Sequence, residues 1–266
     1  MKHALFGALS LIWLAAPAFA GAVYVPHAAE VTVGGVQYRT QVWASNRGSE
    51  NRRFQTLFIT AGEDGTERAE ASYSSVGVSP STTVLLTGVA PAGQTGMLEI
   101  DGPSQVVISA RIVPVGNPNG RLGANLPVVS SETVLAGGTT AQLQGLARGT
   151  GQVTDIVVVN LAHQPTNCTV ARVGANGAAL GAPLERTLEP LSFNRAADFL
   201  ADLGGGTVSG VRVTVSCNRR FYAYALSFDA PNAGVTAVYP SELLISSLGL
   251  PSSGLSFAST FEEGRR

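Results

Sequence analysis

Apolar and polar residues alternate over short stretches of this chain, and glycine- and proline-rich punctuation separates the stretches. The clearest case is Phe221-Tyr222-Ala223-Tyr224-Ala225-Leu226-Ser227-Phe228, where Tyr222, Tyr224, Leu226 and Phe228 fall on one side. A period of two belongs to a strand, whose successive side chains point to opposite faces. The same pattern predicts strands over residues 31–36, 38–44, 54–60, 82–87, 97–100 and 106–113, and again over 211–215 and 222–228. Between them stand Asn46-Arg47-Gly48, Glu63-Asp64-Gly65, Asp101-Gly102-Pro103 and Asn117-Pro118-Asn119-Gly120, residue types that accept turn conformations. Strands about ten residues apart with such punctuation predict an antiparallel sandwich. One helix is expected, over residues 195–203, as a short connector carrying Asp198 and Asp202.

The pattern repeats. Thr40-Gln41-Val42-Trp43-Ala44-Ser45-Asn46 matches Thr154-Asp155-Ile156-Val157-Val158-Val159-Asn160 at an offset of 114 residues. Gly62 and Gly65 correspond to Gly174 and Gly177, and Gly96 to Gly210, each of the last pair opening a strand. An apolar residue plus proline precedes each unit, Val25-Pro26 and Leu126-Pro127, and Tyr239-Pro240 closes the second. Residues 136–150 have no counterpart in the first unit by this alignment and are expected to be an insertion. A period this long means two whole domains, because solenoid repeats are much shorter. The expected organisation is a leader over residues 1–20, sandwiches over 21–120 and 121–240, and an extension over 241–266.

Composition sharpens the class. Hydrophobic residues make up 45% of the 266 and charged residues 13%, which excludes a disordered chain. Lys2 and His3 precede an apolar stretch over residues 4–16, and Ala18-Phe19-Ala20 supplies small residues where a signal peptidase reads. Cleavage is expected before Gly21, with export past the inner membrane and no membrane span after cleavage. Lys2 is the only lysine, so residues 21–266 carry 16 Arg against 18 Asp and Glu. Near-neutrality without a basic cluster excludes a nucleic-acid partner.

The two cysteines, Cys168 and Cys217, are an even pair in a chain expected to be exported, and are expected to form a disulfide. They lack the C-x-x-C spacing and the histidines of a metal or redox site. In an immunoglobulin-like sandwich such a bond links the two sheets, and Trp43 stands where a core tryptophan is expected.

Val23-Tyr24-Val25-Pro26, followed by Tyr38-Arg39-Thr40-Gln41-Val42-Trp43 and Asn46, resembles a recurring module of uncharacterised exported bacterial proteins. The second unit departs from it with Val153 where the first has Arg39. The resemblance implies tandem immunoglobulin-like β-sandwiches and carries no established chemistry.

Candidate chemistry is sparse. His27 and His163 are the histidines outside the leader, and no G-x-S-x-G elbow accompanies them, so His163 is expected to be a solvated loop residue. Glu63, Asp64, Glu67 and Glu70 cluster beside Gly65 and Arg68, where a solvated turn is favoured over a glycosidase pair or a calcium loop. Gly204-Gly205-Gly206 lacks the Lys and Ser/Thr of a phosphate loop. Tyr222 and Tyr224, preceded by Arg219 and Arg220, form either a ligand face that stacks on a glycan or ordinary core, with core favoured. Leu255, Phe257 and Phe261 alternate with small residues like a strand, which completes the second sandwich or joins a partner's sheet edge.

No catalytic, cofactor or metal site is expected. The reading is an exported noncatalytic binding or assembly module of the cell envelope or secreted fraction, with a protein or a glycan as partner. The alternatives are a carbohydrate-binding or carbohydrate-active protein, and a two-domain periplasmic chaperone anchored by Arg121.

Overall fold

The computed structural model describes residues 21–67, 74–102, 105–116, 123–203 and 206–241. All sheets are antiparallel. Among the described residues the first unit has eight strands: β1 (Val23–Val33), β2 (Val36–Asn46), β3 (Arg52–Thr60), β4 (Ser74–Val78), β5 (Thr83–Leu86), β6 (Thr95–Asp101), β7 (Val106–Pro114) and β8 (Ala124–Leu126). They form two layers, β4-β3-β6-β1 and β5-β2-β7-β8. Strand β1 belongs to both. Its first part pairs with β6, its register shifts between Val25 and Ala28, and its end pairs with β2. Gly34 and Gly35, with φ of 56° and 84°, make the two-residue turn into β2. Two successive positive φ angles suit glycine and fix this hairpin's register. The strand expected over residues 31–36 is therefore two strand ends and their turn.

The second unit repeats this plan strand for strand. It comprises β9 (Thr140–Arg148), β10 (Gln152–Asn160), β11 (Thr166–Val173), β12 (Leu184–Leu188), β13 (Phe193–Ala196), β14 (Val208–Cys217), β15 (Phe221–Asp229) and β16 (Gly234–Val238). The layers are β12-β11-β14-β9 and β13-β10-β15-β16, the same order shifted by eight strands. The supposed insertion at 136–150 holds β9, the counterpart of β1. The expected boundary after residue 120 falls before β8, which pairs with β7 and stays with the first unit. The expected connector helix over 195–203 is the end of β13 followed by one short 3₁₀ turn, Ala201–Leu203. Asp198, at φ 44°, interrupts any longer helix.

The pairs β2–β5 and β3–β6 match the B–E and C–F pairs of immunoglobulin domains. The outer strands differ: β7 stands beside β2 and β1 beside β6, where an immunoglobulin sandwich has its first and seventh strands the other way round. Cys168 and Cys217 form a disulfide, with Cα atoms 4.1 Å apart. They are cross-strand partners on β11 and β14, so the bond lies within one sheet and does not join the two layers. Trp43 is not in the core either. Val42 and Ala44 point inward and are buried, while Trp43 between them faces outward and is half-buried.

The two units share a core. One cluster fills the second sandwich, around Leu143, Ile156, Val213 and Phe221. The other combines the interior of the first sandwich with Val157, Val159, Phe193, Tyr222, Tyr224, Leu226 and Phe228, which lie on the outer side of β10, β13 and β15. Sheet β13-β10-β15-β16 is therefore buried on both sides. Strand β10 shows it as an unbroken run of buried residues from Thr154 to Asn160, the signature of a strand covered twice.

Polar atoms pin this interface. Tyr224 Oη donates to Pro26 O at 3.1 Å and Tyr38 Oη to Gly234 O at 3.2 Å. Gly62 N and Gly65 N donate to Phe193 O and Pro190 O, both at 2.9 Å. A Cβ on Gly65 would lie 2.2 Å from Leu191 O, so only glycine allows this approach. The rings of Tyr38 and Phe228 meet edge-on at 4.9 Å, as do His27 and Phe193 at 5.5 Å.

Candidate functional site

Strands β4 and β5 end their sheets side by side, and so do β12 and β13. Among the described residues neither edge in either pair carries a further strand, and the layers part between them. In the first unit this leaves a slot of about 320 Å³, lined by Thr56, Phe58, Val76, Val84, Leu86 and Leu98 among others. In the second it leaves a slot of about 150 Å³ over Ile156, Val158, Cys168 and Val170, with Arg186 and Asn194 at its walls. The two slots occupy equivalent places in the repeat. Each joins edge strands, whose outer backbone N–H and C=O groups carry no further strand, to an apolar floor, and on β13 one of those groups, Phe193 O, is already taken by Gly62 N. That combination suits an added extended strand.

Strand β5 has a second cleft on its other side, about 330 Å³, bounded by Glu30, Arg39, Gln41 and the segment Leu85 to Ala90. Above it lies the outer face of β5-β2-β7, uncovered among the described residues, where Trp43 pairs across strands with Leu85 and Ser109. Leu85 is 46% exposed and Val107 39%.

A third cleft, about 400 Å³, runs between the units. Tyr24, Glu99 and Asp101 form one wall and Leu161, His163 and Arg220 the other, with Ser130 and Ser131 from the connection. Glu99 is buried, whereas His163 and Arg220 are exposed. Arg219 is turned aside, its Nε donating to Pro165 O at 3.2 Å.

The aromatic face is closed to ligands. Tyr222 is 4% exposed and Tyr224 fully buried, and burial pushes both hydroxyls above their ordinary pKa. Tyr222, Tyr224, Arg219 and Arg220 consequently do not form one platform: the tyrosines face the first sandwich and the arginines lie at the surface. Asp64 accepts from Thr66 N and Thr66 Oγ1 within its turn, which holds its carboxyl below the usual range. Glu63 and Glu67 are exposed beside it. Glu70, Arg68, Arg121, Gly204, Gly205, Leu255, Phe257, Phe261 and the leader lie outside the described residues.

Several charged groups hold the structure together. Asp155, 1% exposed, accepts from Arg195 Nε at 2.6 Å and from Asp198 N at 2.8 Å. Arg148 Nε donates to Asp198 at 2.9 Å, and Arg172 pairs with Asp202 while its guanidinium lies over Phe199. Among the described residues no three His, Cys, Asp or Glu side chains gather as a metal-binding group. No helix there is long and apolar enough to cross a membrane.

His27, named from the sequence as a candidate histidine, belongs to the core and lines none of these clefts. It lies on β1, fully buried, with neither ring nitrogen hydrogen-bonded. Burial, and then the charge of Arg195, hold its pKa down at about 3. Nothing local in the sequence announced the Phe193 ring that covers it. No family model and no curated protein matches this chain.

Proposed function

We propose that this chain is an exported, noncatalytic binding or assembly module of the bacterial cell envelope or secreted fraction, working through its sheet edges and end loops. The observation that carries this reading is the pair of equivalent slots between β4 and β5 and between β12 and β13. An extended segment of a partner adds there as a strand, with its main chain bonding the edges and alternate side chains entering the slot. The test is a crosslinking pull-down from the exported fraction, comparing the chain over residues 21–266 with a Ser74→Trp, Ala196→Trp double variant. Both positions are exposed and line the slots. Capture of a discrete protein partner that the variant loses at least tenfold supports the reading. Equal capture by both chains sinks it.

A glycan partner is the second reading, and Trp43 favours it. An outward tryptophan on an open sheet face, beside Gln41 and the Arg39–Glu30 pair, offers a stacking surface with hydrogen-bonding flanks. Retention on polysaccharide that Trp43→Ala abolishes, with protein capture unchanged, selects this reading over the first.

A further inference from the structure

The second slot differs from the first in having a candidate occupant in the same chain. We propose that residues 255–261 of the chain's own C-terminal segment add as a strand between β12 and β13, a proposal that rests on the sheet-edge reading above and leaves the first slot, or the second once vacated, to the partner. The segment Leu255-Ser256-Phe257-Ala258-Ser259-Thr260-Phe261 has a period of two. As a strand it sets Leu255, Phe257, the small Ser259 and Phe261 on one side and Ser256, Ala258 and Thr260 on the other. The slot floor of Ile156, Val158, Cys168 and Val170 is apolar and takes the first set. Glu262-Glu263 follow immediately, and Arg186 on the slot wall supplies the opposite charge.

Reach fits as well. Ser241 Oγ donates to Gln142 O on β9, the edge strand opposite β12 in the same sheet. Three strand spacings, about 14 Å, separate those edges. The residues from 242 to 254 span up to roughly 43 Å when extended, so the segment reaches its own slot with length to spare. Tethering sets its effective concentration at about the millimolar level, which favours its own slot over that of a second copy at ordinary concentrations. The first slot is more polar, with Thr56, Ser74 and Thr87 in its lining.

Amide hydrogen exchange tests this on the chain over residues 21–266. Removing residues 242–266 is expected to speed exchange of the β12 and β13 amides at least tenfold, leaving β14 and β15 unchanged, and a synthetic peptide of residues 253–264 is expected to restore protection. Unchanged β12 and β13 protection overturns the proposal. If truncation exposes the whole second sandwich, Phe257→Ser decides: loss confined to β12 and β13 supports the proposal, and no loss overturns it. Crosslinks from residues 255–261 to β12 that join differently labelled copies in a mixture place the segment on a second chain and overturn the intrachain assignment. None of these failures touches the sheet-edge reading, which stands or falls with capture by the Ser74→Trp, Ala196→Trp variant.

Discussion

Asn46 and Asn160 hold the same position in the two sandwiches and make the same three bonds. Asn46 Nδ2 donates to Glu50 O at 2.7 Å and Val78 O at 3.0 Å, and its Oδ1 accepts from Gly48 N at 2.9 Å. Asn160 Nδ2 donates to Gln164 O at 2.9 Å and to Leu188 O at 3.4 Å, with Glu189 O at 2.8 Å in addition, and its Oδ1 accepts from Ala162 N at 2.9 Å. Each amide ends the second strand of its unit, shapes the loop to the third, and ties that loop to the end of the fourth. Replacing either with Ala removes the bonds and leaves buried carbonyls unmatched. Denaturant titration is expected to show a loss of about 2–4 kcal/mol for Asn46→Ala and a similar loss for Asn160→Ala.

His27 makes stability depend on pH. Its folded pKa of about 3 lies below the ordinary 6.5, so the unfolded chain binds a proton that the folded chain refuses. Above pH 6.5 both states are neutral there and the group has no effect. As pH falls from 6.5 towards 3, stability drops by about 1.4 kcal/mol per unit. His27→Phe keeps a ring against Phe193 and removes the proton site. Its denaturation midpoint relative to wild type is expected to rise between pH 7.5 and pH 5, by about 2 kcal/mol in free energy.

The Cys168–Cys217 bond closes a separation of 49 residues. Replacing both with Ala is expected to cost about 2–4 kcal/mol, read as a lowered melting temperature of the oxidised chain. The fold survives, because β11 and β14 still pair through the residues on from the cysteines.

The shared core makes the two sandwiches one cooperative unit. Thermal unfolding followed by fluorescence and by circular dichroism is expected to give a single coincident transition. Gly65→Ala, which drives a Cβ against Leu191 O, is expected to lower it by several degrees. Tyr224→Phe, which forfeits one buried bond to Pro26 O, is expected to cost about 1 kcal/mol.

What could be foreseen followed from what is local. Thr40 and Thr154 repeat because each hydroxyl donates to the backbone of its unit's first strand, to His27 O at 2.7 Å and to Ala147 O at 2.6 Å. Asn46 and Asn160 repeat for the bonds described above. These needs are the same in both units, so the residues are the same and the period is visible. Which face meets which neighbour differs between units and left no such mark. Trp43 and Val157 are repeat equivalents, yet one faces outward and the other is sealed between sandwiches. Alternation in 221–228 told that one side is apolar and not that the first sandwich covers it. Strand β9 went unseen because a glycine-rich stretch, Gly137-Gly138, precedes it and it lacks the Val25-Pro26 step that marks β1. The cysteines announced a bond, but their spacing alone did not distinguish neighbouring strands from opposing layers.

Strand β6 is buried on both faces from Gly96 to Ile100, and part of what covers it arrives only with β13 and β15. During synthesis the first sandwich emerges with that side bare. From Leu126 roughly 110 further residues must follow before β16 is complete, ~6–20 s at the usual rates of elongation. For that interval the nascent chain presents Leu57, Ile59 and Met97 to whatever is nearby. The N-terminal half thus keeps an apolar face open until the half that covers it is made.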